Sequence, residues 1–120
     1  MKQLKLSELE FQDSFNHKKS VLFDTEDFDS NTKVQILSLK PSQTIPPHLH
    51  NTRTEAFYII SGEGQVIIND EVVVSGADDI ALCQPGDVHS MVNSSSTDEF
   101  KLLIIRTNDL GDDDMIWVKE

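Results

Sequence analysis

Histidine is the residue type in this sequence best suited to hold a metal ion, and the chain contains four: His17, His48, His50 and His89. His48 and His50 are separated by one residue in a segment that predicts an extended strand. Because side chains alternate between the two faces of a strand, both imidazoles point to the same face. This pair could therefore supply two ligands to one metal ion.

A carboxylate and a third imidazole extend this pair into a candidate metal site. Glu55 follows His50 after the polar stretch 51–54, which is long enough for the chain to turn and bring the carboxylate back to the same interior. A closed barrel would bring His89 to the same point from a distant part of the sequence. Nitrogen and carboxylate ligands without a thiolate suit Fe, Mn, Ni, Co, Cu or Zn, and the sequence does not choose among these metals.

The other chemically distinctive side chains are expected to be structural. His17 lies in a charged stretch and is predicted to be exposed and without a partner. Cys83 lies in an apolar strand, where a free cysteine usually behaves as a small buried hydrophobic residue. Trp117 is expected to be a packing or interface anchor. A His-x-His pair alone is more often a surface or core feature than a metal site, so the metal hypothesis depends on Glu55 and His89 joining it.

Strands must position these residues. From residue 32 onward, runs rich in Val, Ile, Leu and Phe are bounded by Gly, Pro, Asn, Asp or Ser, and short turns between them favour antiparallel pairing. This pattern predicts an all-β sandwich or barrel. The predicted strands are Val21–Asp24, Thr32–Lys40, Pro47–His50, Glu55–Ser61, Gly64–Asn69, Glu71–Ser75, Ile80–Cys83, His89–Asn93 and Phe100–Thr107.

The chain, at 120 residues, is expected to form a single domain. We divide it into an N-terminal arm and first strand at 1–31, a barrel core at 32–107 and a C-terminal tail at 108–120. Residues 115–118 of the tail could add an edge strand to this barrel or to a neighbour, whereas the structure of residues 1–20 is left open. Several strands are apolar on both faces, so their outer face must be covered. The N-terminal arm or a second subunit could cover it, and we favour a homodimer.

Composition and charge exclude several classes of partner. Twenty-one acidic residues against ten basic ones give a net charge of -11, which repels nucleic-acid phosphates and anionic lipid surfaces. The apolar runs are far shorter than the ~20 residues that a membrane helix requires. With a single cysteine and no signal-peptide pattern, the expected location is the cytoplasm. We expect neither a nucleic-acid nor a membrane partner.

One stretch of the sequence resembles the first motif of the cupin superfamily. That motif is a glycine, five residues, His-x-His, three or four residues, Glu, six residues and Gly. Here His48-Leu49-His50, four residues, Glu55, six residues and Gly62 fit this spacing. Ser42 stands in place of the opening glycine, and this departure removes no candidate ligand.

A later stretch is similar to the second cupin motif, which is a glycine, five residues, Pro-x-Gly, two residues, His, three residues and Asn. Gly86, His89 and Asn93 match its latter half. Asp78 and Gln84 replace the glycine and the first proline. An aspartate tolerates a left-handed turn conformation better than most residues, so the first replacement is mild.

This resemblance implies a double-stranded β-helix, or jelly-roll barrel, with one divalent transition metal inside. It implies that His48, His50, Glu55 and His89 are the ligands. Phe57, Ile59 and Met91 share the inward faces of the ligand-bearing strands and are candidates for the wall of a substrate pocket, with core packing as the alternative for each. Gln43 or Gln84 could lie at the rim.

A divalent ion with one carboxylate ligand carries a charge of about +1, which favours an anionic or polar oxygen ligand from a small molecule. The resemblance leaves three functions open. The protein could be a metalloenzyme, such as a dioxygenase, isomerase or decarboxylase. It could bind a small molecule without turnover, or it could use the metal only to stabilise the barrel. No second general acid or base stands out near the ligands, although sugar epimerase relatives usually need one.

Overall fold

Alternation of apolar and polar residues with period two builds two antiparallel sheets that pack face to face. The computed structural model describes residues 1–14 and 17–118. The larger sheet contains, in spatial order, β1 (Gln12–Ser14), β2 (His17–Phe23), β3 (Lys33–Leu39), β10 (Phe100–Thr107), β5 (Thr54–Ser61) and β8 (Ile80–Cys83). The smaller sheet contains β11 (Met115–Trp117), β4 (Thr44–His50), β9 (His89–Val92), β6 (Glu63–Ile68) and β7 (Glu71–Gly76).

Helical structure in the described residues is limited to one turn of α-helix, α1 (Thr25–Phe28), and 3₁₀ turns at Leu6–Glu8 and Asp112–Asp114. No helix there is long and apolar enough to cross a membrane. The two antiparallel sheets and the near absence of helix in the described residues confirm the predicted all-β double-stranded β-helix. The predicted bounds of Ile80–Cys83 and Phe100–Thr107 are reproduced, whereas β2 and β4 begin earlier than expected.

The core lies between the two sheets and is built from alternate residues of each strand. In β5, Phe57 and Ile59 are buried while their neighbours are partly exposed. Leu102 and Ile104 of β10 lie beside them in the same layer. Burial of a large apolar side chain contributes about 1.5–3 kcal/mol each, so this layer supplies much of the stability.

Two consecutive prolines shape the strand that carries the first two histidines. Pro46 and Pro47 lack the N–H groups that a regular ladder needs, and the pairing of β4 with β9 shifts between Ile45 and His48. Because of this shift, Ile45, His48 and His50 are all buried, although strict alternation would turn Ile45 away from the histidines. The irregularity therefore combines an apolar wall residue and two imidazoles on one inner surface.

The C-terminal edge strand forms within the same chain. Residues of β11 pair antiparallel with β4, with Met115 opposite His50 and Trp117 opposite His48. Val118 N–H continues the contact by donating to Pro47 O at 3.0 Å. The strand that carries the two histidines is thus flanked on both sides, by β9 and by β11.

The outer face of the larger sheet is only partly covered. Near the N-terminal arm, Ile36 is buried and the Lys101 ammonium lies 5.6 Å from the centre of the Phe11 ring. At the opposite edge, Ile80 and Leu82 of β8 are 69% and 55% exposed. The arm therefore covers one side of this face and leaves an apolar patch on the other.

Gly62, between β5 and β6, lies where the chain tolerates no side chain. Its φ is +92°, and a Cβ at this position would lie 2.2 Å from Glu99 O. By contrast, a Cβ at Gly76 would meet no atom within 4 Å, and that residue does not have a positive φ. A glycine is therefore required at position 62 but not at position 76, and the same substitution at both positions tests this difference.

We expect Gly62→Ala to lower the free energy of unfolding by roughly 2–4 kcal/mol, because strained backbone and a displaced strand add together. Gly76→Ala should change it by less than about 0.5 kcal/mol. Thermal and urea unfolding of both variants measure the difference, and equal stabilities would contradict the assignment of the tight turn.

Candidate metal centre

Three imidazoles meet in the interior of the barrel. His48 and His50 come from β4 and His89 from the neighbouring β9, where it lies directly opposite His48. All three side chains are buried, and one ligand nitrogen from each lies within 4.8 Å of the others. This group could hold a metal ion. The face shared by His48 and His50 is as the sequence predicted.

Hydrogen bonding and burial prepare His48 to act as a ligand. Its Nδ1 lies 2.8 Å from Pro46 O, and because a carbonyl oxygen only accepts, Nδ1 carries the proton. Burial lowers the pKa of His48 to about 4, so the ring is neutral at physiological pH. The lone pair of Nε2 is therefore available to a cation.

Glu55 reaches the histidines from β5 in the larger sheet. Its Oε1 lies 2.9 Å from His50 Nε2 and 3.3 Å from His89 Nε2, and its Oε2 accepts a hydrogen bond from Arg106 Nε at 3.0 Å. Burial opposes ionisation of this carboxyl, but the contacts with His50 and His89 and the charge of Arg106 hold its pKa well below the ordinary value. A carboxylate thus lies beside the imidazoles.

His89 is positioned from behind by the turn that precedes β9. Its Nδ1 lies 3.3 Å from Asp87 O and 3.3 Å from Cys83 Sγ. Burial raises the pKa of the Cys83 thiol to about 12, so Cys83 stays protonated, and its burial agrees with the sequence expectation. With Nδ1 directed at the carbonyl, His89 Nε2 is directed at Glu55.

The donor set fits a metal cation. His50 Nδ1 is a buried nitrogen without a hydrogen-bond partner among the described residues, and His89 Nε2, although 3.3 Å from Glu55 Oε1, makes no well-aligned hydrogen bond there. His50 Nε2 faces both the Glu55 carboxylate, which only accepts, and Arg53 Nη1 at 3.3 Å, which only donates. A cation bound among these groups would pair with the carboxylate and the imidazole nitrogens together, which removes the cost of unpaired buried polar atoms.

The loop between His50 and Glu55 is held by a carboxylate from the C-terminal segment. Asp114 accepts hydrogen bonds from the backbone N–H groups of Asn51, Thr52 and Arg53 at 3.0–3.1 Å. It also accepts one from the Thr52 hydroxyl at 2.7 Å. Four bonds to one buried carboxylate fix the backbone that joins two of the candidate ligands.

A buried arginine joins the same loop to the C-terminal segment. Arg53 Nη2 donates to Asp109 Oδ1 at 2.9 Å and to Gly111 O at 3.1 Å. Burial opposes ionisation of Asp109, yet the Gly111 N–H and the charge of Arg53 keep its pKa below the ordinary value. Because Arg53 also approaches His50, residues 109–114 hold the candidate site from outside the sheets.

The candidate site opens into a cavity of about 230 Å³ between the two sheets. Its lining contains three cationic side chains, Lys19, Arg53 and Arg106, and Glu55 is the one acidic residue among the described lining residues. The whole chain has 21 acidic and 10 basic residues, so this lining reverses the overall charge balance. Such a cavity favours an anion.

The residues predicted for the pocket wall separate into two groups. Met91 lines the cavity. Phe57 and Ile59 point inward as predicted but are fully buried in the hydrophobic core, and the Phe57 ring centre lies 5.8 Å from that of His89. Gln43 accepts a hydrogen bond from Lys40 N–H at 2.7 Å and Gln84 is exposed, and neither lines the cavity.

Sequence reasoning missed several cavity residues. His17 was expected to be exposed and without a partner, which is wrong: it is partly buried, interacts within the fold and lines the cavity. No sequence motif marks Arg53 or Arg106. The one available signal is a positive charge, which for Arg53 lies between two candidate ligands and for Arg106 follows an apolar run. Trp117, expected to be a packing or interface anchor, is 41% exposed; its ring centre lies 5.2 Å from that of His48, and it also lines the cavity.

Comparison with curated proteins and solved structures gives several relatives. The chain is 34% identical over 70 residues to an oxalate-binding protein from Thermotoga maritima, and this match covers 58% of each protein. The fold matches the crystal structure of a predicted oxalate decarboxylase from Thermotoga maritima with a TM-score of 0.80 and 21% identity, covering 88% of this chain and 98% of that one.

A second solved structure extends the likeness to the whole chain. An uncharacterised conserved protein with a double-stranded β-helix domain from Klebsiella pneumoniae matches with a TM-score of 0.76 and 23% identity, covering 100% of this chain and 99% of that one. The family model of the cupin domain matches residues 35–106, which include all three clustered histidines and Glu55. With the fold, the histidine cluster and the family model in agreement, the chain belongs to the cupin domain family.

Proposed function

We propose that this protein binds one divalent transition metal on His48, His50, Glu55 and His89 and uses it to capture a small anionic molecule. The observation that carries this proposal is the buried cluster of three imidazoles beside an ionised carboxylate, at the inner end of a cavity lined mainly by cationic and apolar side chains. Three nitrogen ligands and one oxygen ligand leave room in the coordination sphere for an oxygen of the ligand.

A carboxylate is the favoured chemistry for that ligand. The metal would bind a carboxylate oxygen directly, and cationic side chains would balance the remaining charge. The relative named as an oxalate-binding protein supports oxalate as the first compound to test. Capture without turnover is the simplest activity for this cavity. Glu55 is the one carboxylate among the described lining residues, and as a metal ligand it would not be free to act as a general acid or base.

Decarboxylation or another metal-dependent reaction is the second candidate. It is favoured by Arg53 and Arg106, which line the cavity directly beside His50 and Glu55 and could stabilise negative charge that develops on a bound carboxylate. The predicted oxalate decarboxylase among the structural neighbours is consistent with this alternative, although its identity of 21% carries only the fold.

We expect untagged protein equilibrated with zinc to bind about one metal ion per chain and to bind oxalate only when loaded. His50→Ala and His89→Ala should each lose most of the bound metal, because each removes a ligand nitrogen. His17→Ala is the control, since this histidine lies outside the cluster. Elemental analysis and calorimetry give the stoichiometries, and persistence of oxalate in the same samples separates binding from turnover. Unchanged metal content in both ligand variants would refute the site.

Asp114→Asn should weaken zinc binding by about tenfold, although Asp114 is not itself a ligand in this proposal. The amide has one acceptor oxygen in place of the two that hold the 51–53 backbone, and loss of such outer support typically costs 10- to 100-fold in metal affinity. Competition with a chromophoric chelator measures the change. Asp113→Asn, an exposed neighbour, should leave the affinity unaltered, and equal effects in the two variants would contradict a positioning role.

We further propose that the exposed part of the larger sheet pairs two copies of the chain. Register places Ile105, Ala56 and Leu82 in one row of the outer face. It places Leu103, Tyr58 and Ile80 in the next row. Rows of this kind form a continuous apolar patch, and such patches are often interaction sites.

The double variant Ile80→Lys, Leu82→Lys should therefore sediment as a monomer where the wild type sediments as a dimer. Val72→Lys is the control, because Val72 is a similarly exposed apolar residue on the other sheet. Sedimentation velocity at several concentrations distinguishes the species. A monomeric wild type, or dissociation by the control variant, would overturn this proposal.

A further inference from the structure

The cavity has two polar ends separated by a mostly apolar middle. Its inner end is the histidine cluster with Glu55, and its middle contains four apolar side chains, Leu37, Ile45, Met91 and Ile104, together with the buried amide of Gln35 opposite Ile104. The other end, which we call the mouth, consists of Ser14, His17 and Lys19. These three residues belong to the β1–β2 hairpin and lie outside residues 35–106, the part that the family model matches.

Strand register places Lys19 far from the histidine cluster. Lys19 lies opposite Leu37, which lies opposite Leu102, and Leu102 lies opposite Ile59. Lys19 is therefore three strands away from β5, at about 4.8 Å per step, and in a row four residues along β5 from Glu55. A cavity that touches both Lys19 and Glu55 is consequently elongated.

Lys19 places a positive charge at the mouth. No carboxylate among the described residues forms an ion pair with it. Arg53 is paired with Asp109 and Arg106 with Glu55, whereas Lys19 has no ion pair among residues 1–14 and 17–118. Its side chain is partly buried, and a hydroxyl and an imidazole lie at the same end. In a chain with a net charge of -11, a cation so placed favours an anionic group at the mouth.

We propose that the mouth is a second anion-binding subsite, and that the natural ligand is a linear dicarboxylate with an apolar spacer. One carboxylate would bind the metal, the methylene groups would pack against the apolar middle, and the second carboxylate would pair with Lys19. This inference rests on the proposed function, because the inner carboxylate needs the metal. It goes further by requiring a molecule longer than oxalate, whose two carboxylates are directly joined.

The test combines a change in the protein with a change in the ligand. Zinc-loaded wild type, Lys19→Gln and Lys18→Gln are titrated with oxalate, glutarate and adipate, and with pentanoate and hexanoate, which lack the second carboxylate. Lys18 is the matched control, because adjacent residues of β2 point to opposite faces and Lys18 lies opposite Asp13 in β1. Zinc affinity of each variant is measured separately.

We expect the wild type to bind at least one of the longer dicarboxylates about tenfold more tightly than its monocarboxylate partner, as a charge-assisted hydrogen bond provides. Lys19→Gln should abolish this preference and leave monocarboxylate and zinc affinities unchanged, and Lys18→Gln should keep the preference. Equal binding of both ligand types by the wild type, or equal effects of the two variants, would overturn the second subsite while leaving the metal site intact. Failure of the wild type to bind zinc or any carboxylate would overturn the proposed function as well.

Discussion

A negative charge buried between two sheets is the constraint on which the rest of this structure depends. Glu55 is 2% exposed, and an isolated carboxylate in such a place would cost several kcal/mol. The cost is offset only because Arg106 lies directly opposite it on β10 and two imidazoles approach it from the other sheet. Glu55 therefore ties the two sheets together as well as completing a donor set.

Meeting this constraint requires the barrel to close in a particular register. A slip of one residue in the pairing of β5 with β10 would turn Arg106 away from Glu55, since neighbouring residues face opposite sides of a sheet. The double proline in β4 serves the same end, because the shift in pairing turns both histidines inward. Outside the sheets, Asp109 and Asp114 fix the loop that joins His50 to Glu55.

The sequence predicted the parts of this arrangement that local rules determine. Period-two alternation and turn residues predicted nearly every strand, and motif spacing brought His48, His50, Glu55 and His89 to attention. Contacts between distant segments were not predicted, since Arg106 lies 51 residues from Glu55 and Asp114 lies 62 residues from Thr52. A further limit concerns residues that point inward. Alternation predicts that Phe57, Ile59 and Met91 face the interior, but it does not predict that the first two pack in the core and that Met91 lines the cavity.

The placement of Trp117 gives the protein an optical property of its own. It is the only tryptophan in the chain, and its indole lies against His48 at the cavity wall. Tryptophan emission therefore originates beside the histidine cluster, since no other indole contributes. Binding of a quenching ion such as Cu²⁺ or Ni²⁺ at the cluster can be followed in solution without any attached label.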